Sequence, residues 1–160
     1  MVEIKKFENR YYQDFVGLFC DYFALDLGED APTQVIKDKI IDAQVLKDFE
    51  LGDTYLDLLI LDGVARGFII YQIDSERSDW NKRTGFGFIR ELYVDRNYRK
   101  CGYGSMLLKN AEDMLRGKTN GVYLTSDEKP YVKDFYIRNG YTNEHIRDDY
   151  NNDEYFVKYF

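Results

Sequence analysis

The stretch ELYVDRNYRKCGYG, residues 91–104, decides the reading of this chain. It continues a β-rich run over residues 86–94 and opens an apolar helical pattern over 103–115, where Leu107, Leu108, Ala111 and Leu115 share one face. Between the two lies a loop carrying Arg96, Arg99 and Lys100, followed by Cys101, Gly102, Tyr103 and Gly104. Glycine lets a ligand reach backbone amides, and a helix amino end offers unsatisfied N–H groups and a dipole that favours an anion. Strand, basic glycine-bearing loop and helix in this order predict a phosphate-binding loop. The Lys-Ser/Thr ending of a nucleotide P-loop is missing, as is the third glycine of a dinucleotide fold, so both of those readings fall.

Upstream, residues 2–7 are a short strand candidate, and Tyr12, Phe15, Val16, Phe19 and Phe23 have helical spacing behind Asn9 as N-cap. An acidic loop over 26–30 follows. Residues 33–50 are helical in composition, with a break near Asp42 where the apolar stripe changes phase. The β-rich runs 54–61 and 64–73 flank Asp62-Gly63, a two-residue hairpin signal, and should pair antiparallel. The polar stretch 74–84 then leads to the strand over 86–94. Beyond the helix over 103–115, stopped by Gly117, come a short strand over 122–125 and a helix over 131–139 ended by Gly140. Residues 141–146 and 155–160 form two closing strands, and DDYNNDE turns the chain between them. Antiparallel strands followed by a strand-loop-helix-strand crossover, the connection that joins parallel neighbours, predict a mixed α/β class. The expected architecture is a mostly antiparallel central sheet flanked by helices, in one domain over residues 1–160.

A hydrophobic content of 44%, with 15 Tyr, 11 Phe and 1 Trp, supplies a core and excludes disorder over most of the chain. The apolar runs fall far short of the ~20 residues that span a bilayer. MVEIKKFENR lacks the apolar block of a secretory signal, so a cytoplasmic protein with no membrane partner is expected. Twenty-nine acidic against 22 basic residues leave a formal charge of -7, which opposes attraction to a phosphate backbone. No nucleic acid partner is expected, whereas cationic small molecules or basic segments fit this charge. Cys20 and Cys101 lack CxxC or His spacing, which argues against metal and against a disulfide framework.

Residues 91–104 resemble the pyrophosphate-binding motif of the GCN5-related N-acetyltransferase (GNAT) family, Arg/Gln-x-x-Gly-x-Gly/Ala after a strand ending in apolar-x-Val-x. A second segment, Phe135-Tyr136-Ile137-Arg138-Asn139-Gly140-Tyr141, looks like the family's FYxxxGF motif, in the right order along the chain. One departure is that the Asn often found before the second motif's helix is Lys129 here.

The resemblance implies the acyl-CoA N-acyltransferase fold, acetyl-CoA as co-substrate, and acetyl transfer to a primary amine by direct attack in a ternary complex. It also implies that the backbone amides of Cys101, Gly102, Tyr103 and Gly104, with Arg99 and Lys100, hold the pyrophosphate. The pantetheine would lie along Leu92, Tyr93 and Val94, on a strand that bulges and splays from its parallel neighbour. A bulge suits the placing of Arg90 among Phe86, Phe88 and Leu92.

An alkyl ammonium titrates at about 10.4, so fewer than about one molecule in a thousand is neutral at pH 7 and a base is needed. Glu91 is the candidate base, acting through a water. A backbone N–H near Leu92 or Tyr93 would stabilise the oxyanion. Tyr136, at the position of the family's general acid, would protonate the departing thiolate.

Cys101 belongs to the phosphate loop and so lies at the wrong end of CoA to carry the acetyl group. His145 is read as a packing or surface residue. Acidic residues cluster at Asp26, Glu29 and Asp30 and again at Glu144, Asp148, Asp149, Asp153 and Glu154. These are regions that flank the acceptor groove in the resembled family, so a small cationic amine is the expected acceptor. A protein lysine or N-terminus as acceptor, a non-catalytic acyl-CoA-binding module, and a homodimer remain open alternatives.

Overall fold

Asp62 and Gly63 both take left-handed backbone, with φ of 49° and 84°, as a two-residue hairpin turn requires. The computed structural model describes residues 1–26 and 28–160. Its elements begin with β1 (Val2–Lys6), a 3-10 turn at Asn9–Tyr11, α1 (Tyr12–Asp21) and a wide π-helical turn at Tyr22–Asp26. Then come α2 (Thr33–Val35), a π-helical stretch over Ile36–Val45, α3 (Leu46–Glu50), β2 (Tyr55–Leu61) and β3 (Val64–Ile73). The chain continues through β4 (Gly87–Val94), a 3-10 turn at Arg96–Tyr98, α4 (Tyr103–Leu115), β5 (Gly121–Ser126), α5 (Pro130–Arg138), β6 (Thr142–Arg147) and β7 (Glu154–Tyr159). The strands order as β1-β2-β3-β4-β5-β7-β6. β1 and β2, β2 and β3, β5 and β7, and β6 and β7 pair antiparallel, and β4 and β5 pair parallel. This is the mixed, mostly antiparallel sheet expected from the sequence. Among the described residues no helix is long and apolar enough to cross a membrane.

Two compact units divide the chain, residues 1–71 with 91–111 and residues 72–90 with 112–160. The first unit is organised around Phe68, whose ring meets Phe15 at 5.2 Å, Phe19 at 5.7 Å, Tyr22 at 5.8 Å and Tyr93 at 5.9 Å between centroids. Around these rings Tyr11, Val16 and Leu18 of the same helical segment are also buried, while Tyr12 and Phe23 stay half-exposed. Phe15, Val16 and Phe19 of the expected stripe are buried, and Tyr12 and Phe23 pack against the same core at its margin. Asn9 is not the N-cap. It lies inside the first 3-10 turn, behind Glu8.

The expected break near Asp42 is absent, and a change of winding takes its place. Ile36, Ile41 and Leu46 are the buried residues of this stretch, five positions apart, which is the period of i to i+5 bonding. Read at α-helical period, five-residue spacing looks like a phase jump.

Asp74 N donates to Phe86 O and Asp95 N to Arg66 O, each at 2.8 Å.

In the second unit β5 is buried throughout Val122, Tyr123 and Leu124, and Tyr123 stacks on Phe88 at 4.8 Å. Among the described residues of this unit, the parallel pairing spans Gly87↔Val122 and Phe88↔Tyr123 and goes no further.

The polar stretch after β3 folds around Asp74, only 1% exposed. Its carboxylate accepts from Tyr123 Oη, from Gln72 Nε2 at 2.8 Å and from the backbone N–H groups of Lys82 at 3.0 Å and Arg83 at 3.1 Å. Four donors meet the requirement that a buried carboxylate be bonded.

Gly67 lets β4 come close. A Cβ there would sit 2.8 Å from Tyr93 O and 3.4 Å from both Val94 Cα and Leu107 Cδ1. Backbone on one side and core on the other leave little to yield, so Gly67→Ala is expected to cost about 1–3 kcal/mol through overpacking. Thermal melting checks this, with a midpoint several degrees below the parent as the expected result.

Candidate active site

The loop after β4 is shaped by local bonds before any ligand is considered. Asp95 accepts from Asn97 N at 3.0 Å and so starts the 3-10 turn Arg96–Tyr98. Lys100 and Gly102 then take left-handed backbone, φ 62° and 83°, on either side of the exposed Cys101. The first helical bond of α4 runs from Met106 N to Gly102 O at 3.1 Å, so the N–H groups of Tyr103, Gly104 and Ser105 precede it. A Cβ built on Gly102 meets nothing within 4 Å. Glycine is therefore required here by conformation, and the space outside the loop is open to an anion.

Arg99 is occupied by protein groups. Its Nε donates to Val94 O at 2.8 Å, its Nη2 reaches the Asp26 carboxylate at 3.1 Å and 3.3 Å, and its guanidinium lies 5.1 Å over the Tyr93 ring. Arg96 Nη2 donates to Leu25 O at 3.3 Å and lies 3.8 Å from Asp26. Burial, then the charge of Asp26, pushes the Tyr93 phenol above its ordinary value.

Tyr93 and Val94 are buried and Leu92 is half-buried. The half-buried Glu91 carboxylate accepts a hydrogen bond from Tyr22 Oη. Sequence reasoning missed Tyr22. A tyrosine at a helix-core position carries no signal of its own, and its partner is 69 residues away.

In the second unit, Lys129 N donates to Asp127 Oδ1 at 3.0 Å, and Pro130 opens α5 at a position where no N–H is needed. Tyr136 is half-buried on α5, its ring 5.8 Å from Tyr141, 5.0 Å from Phe135 and 6.3 Å from Phe156. Its carbonyl accepts from Asn139 N and Tyr141 N at 3.1 Å and 3.0 Å, and Gly140, φ 91°, ends the helix. His145 is exposed, as expected of a surface residue.

The acidic clusters are less open than the sequence suggests. Asp26 is paired with Arg99 and Arg96, while Glu29 and Asp30 are exposed; Leu27 lies outside the described residues. In the second cluster Glu144 pairs with Arg83, Asp149 with Lys82 at 3.0 Å, and the buried Glu154 with Lys133 and Asn143. Asp148, 2% exposed, accepts from Tyr155 Oη and from the N–H groups of Tyr150 and Asn151, and lies 3.7 Å from Lys82. These residues build the turn before β7 more than they line an open surface.

The acetyltransferase (GNAT) family model matches residues 13–141. The chain belongs to that family. It is an acyltransferase that takes its acetyl group from acetyl-CoA. No curated protein sequence matches the chain. Among solved structures, the PaiA N-acetyltransferase of Thermoplasma acidophilum, determined with coenzyme A, has 17% identity and a TM-score of 0.77, over 100% of this chain and 99% of that one. An acetyltransferase of Thermus thermophilus has 16% identity and a TM-score of 0.75, over 100% and 97%. A GNAT acetyltransferase of Staphylococcus aureus has 15% identity and a TM-score of 0.73, over 99% of each chain. At these identities the likeness establishes the fold.

Burial raises the Asp148 carboxyl, but the Tyr155 hydroxyl, the two backbone N–H groups and the Lys82 charge outweigh it and leave the value lowered. A lowered folded value stabilises the fold above the unfolded carboxyl value of about 3.9 and loses that stabilisation as pH falls through the folded value. Asp148→Ala should destabilise the protein at pH 7 by about 1–3 kcal/mol, because buried donors lose their acceptor. The gap between parent and variant should narrow as denaturant melts are moved to acid pH below the ordinary carboxyl range.

Proposed function

We propose that this protein moves the acetyl group of acetyl-CoA to the primary amine of a small cationic molecule, by direct attack in a ternary complex. The observation that carries the donor side is the open loop at Gly102, whose left-handed backbone and unencumbered outer face lead into the amino end of α4. The amides of Cys101, Gly102, Tyr103 and Gly104 hold the pyrophosphate, with the exposed Lys100 adding charge. Arg99 fixes the loop through Nε on Val94 O and Nη2 on Asp26, and its Nη1 group adds to the hold on the pyrophosphate. The pantetheine lies along Leu92, Tyr93 and Val94.

The amine nitrogen attacks the thioester carbon. Its proton passes to Glu91 through a water, and an N–H near Leu92 or Tyr93 bonds the oxyanion. The C–S bond then breaks, and Tyr136 protonates the thiolate. A tyrosine hydroxyl, with a reference value of about 10, is protonated at neutral pH and able to donate. The formal charge of -7 and the exposed Glu29 and Asp30 support a cationic acceptor.

Thiol release from acetyl-CoA with a panel of polyamines, aminoglycosides, basic peptides and neutral amines tests the reading. Cationic amines should be preferred, and the rate at limiting acceptor should fall as salt screens the attraction. Preference for neutral amines would overturn the acceptor class. Gly102→Asp should abolish CoA binding in calorimetry while the fold persists, because it sets a carboxylate against the pyrophosphate; retained binding would remove the loop assignment. Tyr136→Phe should lower turnover at least about tenfold with CoA affinity unchanged, within the about 100- to 10,000-fold range of a positioned acid.

A further inference from the structure

We propose that Tyr22 is a positioning residue for acetyl transfer, its phenol fixing the direction in which the Glu91 carboxylate acts. The inference rests on Glu91 as the base proposed above. Tyr22 Oη donates to Glu91 Oε2. The Tyr22 ring is buried against Phe19, Phe68 and Tyr93, at 5.8 Å, 5.8 Å and 5.7 Å between centroids. Phenylalanine would fill that aromatic cluster as well, and a buried hydroxyl costs free energy unless it is bonded. The hydroxyl meets that requirement in its bond to Glu91.

A glutamate on a half-buried strand position has several torsions to restrain. A donor anchored in the core removes that freedom at one oxygen, which matters because small misplacements of a reacting group cost large factors in rate. The same wide turn, Tyr22–Asp26, also reaches the phosphate loop, where Asp26 binds Arg99 and Leu25 O accepts from Arg96. One turn of helix therefore holds both the base and the loop. Wide turns of this kind concentrate at functional sites.

Steady-state kinetics on Tyr22→Phe, Glu91→Gln and the double variant test the proposal, with circular dichroism as the check on folding. Tyr22→Phe should lower kcat by at least about tenfold. Acceptor KM and CoA affinity should both stay within about twofold, and adding Tyr22→Phe to Glu91→Gln should cost less than about twofold more. An unchanged kcat in Tyr22→Phe beside a reduced one in Glu91→Gln would overturn the positioning role and leave the base in place. Losses that multiply in the double variant would also overturn it, since the hydroxyl would then act independently of Glu91. An unchanged kcat in Glu91→Gln would remove both assignments. Should Tyr22→Phe fold poorly, Glu91→Asp keeps the proposal open to refutation with the core intact. It withdraws the carboxylate from the phenol, so kcat should fall, and an unchanged kcat would count against the proposal.

Discussion

The guanidinium of Arg99 bonds at once to the carbonyl of Val94, at the end of β4, and to the carboxylate of Asp26, with the Tyr93 ring beneath it. Charge-assisted bonds of this kind are about twice as strong as neutral ones, and a half-buried pair is screened less than a surface one. With the last strand carbonyl taken, the chain leaves the sheet. It reverses through Lys100 and Gly102, whose left-handed backbone sets the amino end of α4. The arrangement has a cost. The arginine most easily assigned to phosphate spends two of its three nitrogens on the fold, so an anion at the loop would meet its remaining nitrogen together with the loop amides, the helix dipole and Lys100.

Much of the fold was legible because it is written in short-range patterns. Asp62-Gly63 announced its hairpin, the β-rich runs on either side of it marked β2 and β3, and the face of Leu107, Leu108, Ala111 and Leu115 marked α4. The β4 loop was legible for the same reason, since strand, basic residues and glycines are consecutive. Ile36, Ile41 and Leu46 were misread because their five-residue period belongs to a winding that an α-helical template does not contain. Asn9 has the right chemistry for a cap, but the helix begins with a tighter turn around it. The candidate site was legible only as a set of residue types. That Tyr22 would meet Glu91, or that Asp26 would take Arg99 73 residues away, depends on tertiary packing that no local pattern encodes.

The acidic composition reads differently once the carboxylates are located. In the second unit Asp74 and Asp148 are bonded to tyrosine hydroxyls, Glu154 to Lys133, and Glu112 to both Tyr141 Oη and Lys158 Nζ. All four are buried. Lysine partners cancel as much positive as negative charge and tyrosine hydroxyls cancel none, so the net -7 stands and the exposed groups set how it is distributed. Exposed groups such as Glu29 and Asp30 carry more weight than their number suggests.

The same pairs give three of the chain's 15 tyrosines a structural role. Tyr71, Tyr123, Tyr141, Tyr155 and Tyr93 are each pushed above the ordinary phenol value by burial first and by a neighbouring carboxylate second. A raised folded value means full stabilisation below the unfolded phenol value of about 10 and a loss as pH climbs beyond it. Unfolding in alkali therefore releases phenolic protons together, and the phenolate absorbs ultraviolet light at longer wavelength than the phenol. The tyrosines that satisfy the buried carboxylates thus form an internal optical indicator, whose colour change in alkali coincides with loss of the fold.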